Sequence, residues 1–276
     1  MVEQLLTQVP APDVLHLHHL AFGAFPALVD AFPQTPALAL IHGTDLLYAD
    51  QNPTQHAVMV RLAHHAHHAH RIIAPTAAMA DLLVRRVPDL DTSRIVQVPW
   101  GVPDTLLTTP SPRPVPGDGG PLRLLYAGRL SPEKGVQDLV AACAAAGVRL
   151  SVAAPTPPTA TEANYLGWLE RPQLWQEFAH HDLLVVPSAR LEAFGLVAIE
   201  AQACGLPVLY RQVPGLVDSA LCVPDLSART LATTLAWLAS DQRALDQARE
   251  AGIRNAARFP LSATAAALRE VSTEIA

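Results

Sequence analysis

Two α/β domains, each built on a parallel sheet, are predicted by three features of this 276-residue sequence. Short apolar runs alternate with helix-compatible stretches along most of the chain. The runs are apolar throughout, as in strands covered on both faces. The third feature is the segment TTPSPRPVPGDGGP, Thr108 to Pro121, with five prolines and three glycines in fourteen residues. Neither a helix nor a central strand carries that composition. It reads as a linker between a first domain over 1–107 and a second over 122–276.

In the first domain Val14–Leu17, Ala37–Ile41, Arg71–Ala74 and Ile95–Val98 read as strands. Helix-compatible stretches lie near 23–32, 53–70 and 75–86. In the second domain the strands are Leu122–Ala127, Arg149–Ala153, Leu183–Val186, Pro207–Tyr210 and, more weakly patterned, Ala220–Val223. After the first of these, Val136, Leu139, Val140 and Cys143 recur at helical spacing, and Gly147 is placed to end that helix. Ligands of such sheets sit at the carboxyl ends of strands, so the chemistry is sought there.

Composition narrows the function classes. The chain is 50% hydrophobic with a mean hydropathy of +0.21. No stretch approaches the roughly 18 uninterrupted apolar residues of a spanning helix. The opening MVEQLLTQVPAPD has no basic start and no apolar run, so it does not read as a secretion signal. Cys143, Cys204 and Cys222 are an odd, widely spaced set, the pattern of free thiols in a reducing compartment. A net charge of −6 gives no electrostatic footprint for nucleic acid.

Two segments carry candidate chemistry. In LLYAGRLSPEKG, a strand ends at Ala127, Gly128 follows, and Arg129 and Lys134 bracket a Ser-Pro turn into a helix. Two cations five apart over a turn suit a diphosphate, or simply solvate a loop. In VPSARLEAFGLVAIEAQACGLPVLY, a strand ends at Pro187, a loop carries Arg190 and Glu192, and Gly195 opens a helix to about Cys204. A glycine at a helix amino terminus lets a phosphate approach free backbone N–H groups. Glu192 and Glu200 could accept from sugar hydroxyls. Taken alone, Glu192 reads equally as a helix-dipole acid and Glu200 as an exposed helix residue.

Together, YAGRLSPEKGV and EAFGLVAIE, a Glu-x7-Glu element followed by AQACGLPV, resemble the retaining GT-B-fold glycosyltransferases of family four, also called glycosyl transferases group 1. The likeness spans residues 122 to about 223 well and the remainder loosely. It implies two Rossmann-like domains of GT-B type. It also implies that Arg129 and Lys134 hold the donor diphosphate, and that Glu200 accepts from the nucleotide ribose. Glu192 would contact the transferred sugar, with the backbone at Gly128, Phe194, Gly195 and Leu196 lining sugar and phosphate. Leu166 to Leu169 falls where members hold the base. PDVLHLHHL, LALIHGTDL, RIIAPTAAMADLL and IVQVPWGVPD resemble the family's acceptor-side domain more faintly. His42, in HGTD, falls where many members present a histidine near the reactive sugar carbon.

Several features depart from the family pattern. The amino-terminal strands and glycine-rich loop are not found before PDVLHLH. PTPPTATEAN stands where a Gly-x-Gly is usual, and VPGLVDSALCVPD lacks a customary glycine. HHAHHAH, His64 to His70, places His64, His67 and His68 on one helical face, a spacing compatible with zinc or nickel but lacking a nearby Cys or acidic ligand. The expectation is therefore a cytoplasmic glycosyltransferase, at most peripheral to the inner membrane face. It would use a nucleotide-diphosphate-sugar donor, no metal, and a sugar, lipid or protein acceptor. A homodimer or partner chain would cover the shortened first domain. The competing reading is a non-catalytic nucleotide-sugar-binding or interaction module.

Overall fold

The computed structural model describes residues 10–23, 25–51, 56–108, 120–158, 163–190, 192–220 and 230–276. Contacts divide the chain into two units, one of residues 1–100 with 263–276, the other of 101–262. Residues 109–119, most of the expected linker, lie outside the described residues.

The first unit holds four strands, β1 (Leu15–His18), β2 (Ala37–Leu40), β3 (Arg71–Ala74) and β4 (Ile95–Gln97), paired in that order and all parallel. Between them run α1 (Phe25–Ala31), α2 (Thr44–Gln51), α3 (His56–His68) and α4 (Ala77–Arg86). α4 is capped by Thr76, whose hydroxyl accepts from the Met79 N–H at 3.3 Å, a donor shared with the Thr76 carbonyl at 3.2 Å. β2 is buried along its whole length, as a strand covered on both faces must be.

The second unit opens with α5 (Asp104–Thr108) and carries β5 (Arg123–Ala127), α6 (Val136–Ala146), β6 (Arg149–Ala153), β7 (Asn164–Gly167), α7 (Arg171–Phe178), β8 (Leu183–Val186), α8 (Leu196–Ala203) and β9 (Val208–Tyr210). α9 (Leu216–Ser219), α10 (Leu231–Ser240) and α11 (Gln242–Ala256) follow. Its five strands are parallel in the order β7-β6-β5-β8-β9. The expected helix after β5 ends at Gly147, which takes φ +66 and whose N–H bonds back to the Ala144 carbonyl. β7 has no apolar run in the sequence because it is an edge strand, half exposed along NYLG. The weakly patterned strand at 220–223 falls mostly outside the described residues; Ala220 itself caps α9.

The sequence reading runs the second domain to residue 276; in the structure α12 (Leu261–Ile275) crosses back, and residues 263–276 belong to the first unit. Its apolar stripe explains why. Ala267, Leu268, Val271 and Ile275 pack on Leu38, Leu40, Ile73 and Val98. The Ser272 hydroxyl meets the His16 ring nitrogen at 2.8 Å. Among the described residues no helix is long and apolar enough to cross a membrane.

Before α5, the chain runs beside its own later segment. Val102 N–H donates to the Phe259 carbonyl at 2.9 Å, and Leu261 N–H to the Val102 carbonyl at 2.8 Å. A Cβ on Gly101 would lie 2.5 Å from the Leu261 Cα, and backbone cannot yield cheaply there. Gly101→Ala is expected to lower stability by about 1–3 kcal/mol in urea unfolding.

Candidate functional site

In the second sheet the chain runs from β5 out through β6 to β7, then returns to place β8 on the other side of β5. Open parallel sheets take ligands at the carboxyl ends of strands beside such a reversal. Both segments singled out in the sequence converge there, one leaving β5 and the other leaving β8. Gly135 makes their approach possible. It takes φ +66, and a Cβ there would lie 2.4 Å from the Pro187 carbonyl oxygen. The Ala189 N–H donates to the Glu133 carbonyl at 2.9 Å, tying one loop to the other.

Across this junction Lys134 Nζ donates to Glu192 Oε1, which also accepts from the Ser188 hydroxyl. Lys134 and Glu192 retain 23% and 14% side-chain exposure, so the pair is screened less than a surface ion pair. Removing either member would leave a charge in a poorly solvated site. Arg129 is exposed, and its guanidinium makes no hydrogen bond or ion pair among the described residues. Its carbonyl accepts from the Tyr126 hydroxyl at 2.5 Å. Burial, then the Glu192 charge, pushes that phenol far above its ordinary range, so it remains a neutral donor. Gly128 follows β5, and its N–H donates to the Ala153 carbonyl at 3.0 Å.

The second glycine of the site, Gly195, stands at the amino end of α8 with φ +77. The first-turn N–H groups of Leu196 and Val197 have no intrahelical acceptor, as at any helix start. The Phe194 ring turns into the core, edge-on to Phe259 with centroids 5.4 Å apart, and its carbonyl accepts from the Ser219 hydroxyl. Glu192 is fixed from below by a third glycine. Its N–H donates to the Pro214 carbonyl at 3.1 Å, and a Cβ on Gly215 would come within 1.7 Å of the Glu192 carbonyl oxygen. Glu200, further along α8, is 3% exposed and pairs through Oε1 with Arg171. Burial raises its pKa above the ordinary carboxylate value, while the Arg171 charge pulls the other way. At the edge of the sheet Leu166 and Gly167 end β7, and Trp168 follows with 62% of its surface exposed.

His42 belongs to the first unit, just beyond β2. Its Nε2 lies 2.7 Å from His18 Nδ1 in a hydrogen bond between rings. The two rings stack at 4.9 Å, and Trp100 stacks on His42 at 5.5 Å. The histidine-rich helix α3 disperses its rings: His65 is buried on the Leu20 carbonyl at 2.5 Å, His67 pairs with Asp89 at 3.3 Å, and His64 and His68 pack 4.5 Å apart. Among the described residues no group of three or more His, Cys, Asp or Glu side chains could hold a metal ion.

Sequence reasoning missed Ser188, Arg171, Gly215 and His18. The partners of the first two, four and 29 residues away, are set by folding and carry no local signature. A cavity of about 650 Å³ opens beside the Leu130–Gly135 turn, between Val136, Val140, Pro157 and Ala189. Its lining includes none of Lys134, Glu192 and Glu200.

Two family models match the chain in succession: Glycosyltransferase Family 4 over residues 1–106 and Glycosyl transferases group 1 over residues 121–241. A D-inositol 3-phosphate glycosyltransferase of Thermobispora bispora is 44% identical over 110 residues, 38% of this chain and 26% of the relative. The chain thus spans about a quarter of that protein's length. A glycogen synthase of Mycobacterium tuberculosis is 28% identical over a 292-residue alignment, covering 94% of this chain and 68% of the relative. Among solved structures, Anabaena HepE in complex with UDP and glucose superposes with a TM-score of 0.79 at 16% identity, covering 99% of this chain and 80% of that one. Sucrose-phosphate synthase from Thermosynechococcus elongatus gives a TM-score of 0.77 at 20% identity, covering 95% and 73%. These likenesses establish two Rossmann-like domains of GT-B type.

The three site glycines are not equivalent to the one that merely ends a helix. Gly147 has φ +66 but nothing within 4 Å of a built Cβ, whereas at Gly215 the left-handed backbone and the Glu192 carbonyl both oppose a side chain. Gly147→Ala should cost only about 1 kcal/mol, and Gly215→Ala at least about 2–3 kcal/mol, by urea unfolding of each variant.

Proposed function

Because the chain belongs to the glycosyl transferases group 1 of family four, we propose that it moves a sugar from a nucleoside-diphosphate-sugar donor to an acceptor hydroxyl, with retention of anomeric configuration. The observation that carries this reading is the meeting of Lys134 and Glu192, 58 residues apart in sequence, at the carboxyl ends of adjacent parallel strands. A cation and a carboxylate are thereby available within one ligand's length of each other.

Each group then has a role that its chemistry supports. Arg129, exposed in the turn leaving β5, offers a planar fork to the diphosphate, and Lys134 a point charge. The amino end of α8 adds N–H donors through Gly195 and Leu196. These groups stabilise the negative charge that develops as the diphosphate departs, and the proposed chemistry calls on no metal. Glu192 accepts from hydroxyls of the transferred sugar and Glu200 from the ribose, and the family resemblance gives His42 the role of the histidine near the reactive carbon. UDP-bound and UDP-glucose-bound HepE support a nucleotide sugar as the donor class. A sugar, lipid or protein acceptor is equally compatible with the residues in view, as are cytoplasmic residence and self-association through the first unit.

The Lys134–Glu192 pair sharpens the test. Lys134 donates to Glu192, so a diphosphate shares or competes for the three N–H donors of that ammonium. Lys134→Ala should weaken binding of UDP, GDP or ADP to the full chain by about 1.5–3 kcal/mol, the scale of a charge-assisted hydrogen bond. Glu192→Ala should leave that affinity unchanged or raise it, while nucleotide release from a panel of sugar donors falls. Calorimetry and a nucleotide-release assay on both variants check this. Equal loss of diphosphate affinity in the two variants would remove Glu192 from the sugar. Absence of binding by all three nucleotides at millimolar concentration would remove the donor site.

A further inference from the structure

We propose that Arg171 is a positioning residue for nucleotide recognition: it holds Glu200 in the ionised form that a ribose diol needs as its acceptor. This rests on the nucleotide-sugar reading above. An ionised carboxylate only accepts, whereas a protonated one surrenders an oxygen to a donor role. Two vicinal ribose hydroxyls therefore bind the carboxylate better. Glu200 is poorly placed to remain ionised by itself, because its side chain is 3% exposed inside α8. Desolvation disfavours the charge; the Arg171 cation opposes it first, and the Trp175 side chain acts in the same sense.

Arg171 acts from solvent. Its own side chain is 57% exposed, yet Nη1 reaches Glu200 Oε1 from the first residue of α7. A cation in the first turn of a helix opposes the helix dipole, so its location there is unfavourable apart from the carboxylate it meets. The other charged groups around α8 are engaged elsewhere. On α7, Glu177 lies beside His180 and His181 at the far end of the helix. Glu170, just before α7, forms a reciprocal capping box with Gln173. From α11, Arg249 donates to the Gly205 carbonyl. From α5, Asp104 is held by Ser262. Strands β8 and β9, which pack beneath α8, are LLVV and VLY and bring no acid or base. Burial already pushes the Glu200 carboxyl upward against the Arg171 charge, so loss of that charge moves its titration closer to neutrality.

The sign follows directly. Ribose binding needs the carboxylate, so affinity is lost as pH falls through the Glu200 pKa of the free protein, and Arg171→Ala raises that pKa. The experiment uses the full chain and the tightest binder among UDP, GDP and ADP, with its 2′,3′-dideoxy counterpart, titrated calorimetrically from about pH 4.5, the ordinary carboxylate range, to about pH 8. For Arg171→Ala, affinity for the ribonucleotide should fall about tenfold per pH unit on the acid side, and Arg171→Lys should restore the parent profile. The dideoxy nucleotide should show no variant-specific slope, and titration of the phosphates, common to both nucleotides, cancels in the comparison. A purely structural arginine would weaken both nucleotides alike at every pH, and that result overturns the proposal. So does a parent-like profile in Arg171→Ala. If no nucleotide binds the parent, the nucleotide-sugar reading falls first and this inference with it.

Discussion

The candidate donor site depends on the close approach of two backbone segments at Gly135. The turn leaving β5 can lie against the carbonyl of Pro187 only where no side chain stands, and only with a left-handed residue at the turn. Once that approach is made, the remaining geometry follows from strand adjacency. Glu133 and Ala189 bond across the junction, Lys134 comes within reach of Glu192, and Ser188 completes the carboxylate. Two further glycines repeat the device at 195 and 215, each admitting a neighbour that a Cβ would displace. The charges of the site are thus placed by residues that carry no side chain.

The charges in turn are arranged in graded solvation. Arg129 faces water, Lys134 and Glu192 are partly covered, and Glu200 is buried. Each of the two carboxylates has a cation from a different element, Lys134 from the β5 turn and Arg171 from α7. Such pairs contribute little net stability, because desolvation offsets most of the attraction. At Glu200, where burial pushes the carboxyl above its ordinary range, the Arg171 charge acts in the opposite sense.

Much of this architecture was legible because it is periodic or punctuated. Fully apolar strands such as Leu183–Val186 and glycine-bounded helices such as Val136–Ala146 announce themselves by composition, and a parallel sheet follows from their alternation. Gly195 was visible as a helix start. What stayed hidden is long-range or weakly patterned. Edge strand β7 lacks an apolar run because one side of it meets solvent. Arg171 finds Glu200 across 29 residues, and His18 finds His42 across 24, by strand order and helix packing alone. The return of α12 was missed because an amphipathic helix shows only that it buries a face, not which sheet receives it.

That return has a consequence for the order in which the chain can fold as it is made. Domains form as units, the amino-terminal one ordinarily first. Here the second unit, 101–262, is continuous, whereas the first includes residues 263–276. The face of the first sheet around Leu38, Leu40, Ile73 and Val98 cannot be covered by Ala267, Leu268 and Val271 until residues 263–276 have been synthesised. The later-encoded unit can therefore close while the earlier one still waits for its cover, and the apolar face of the earlier sheet is the surface left to a chaperone or to misassociation during that interval.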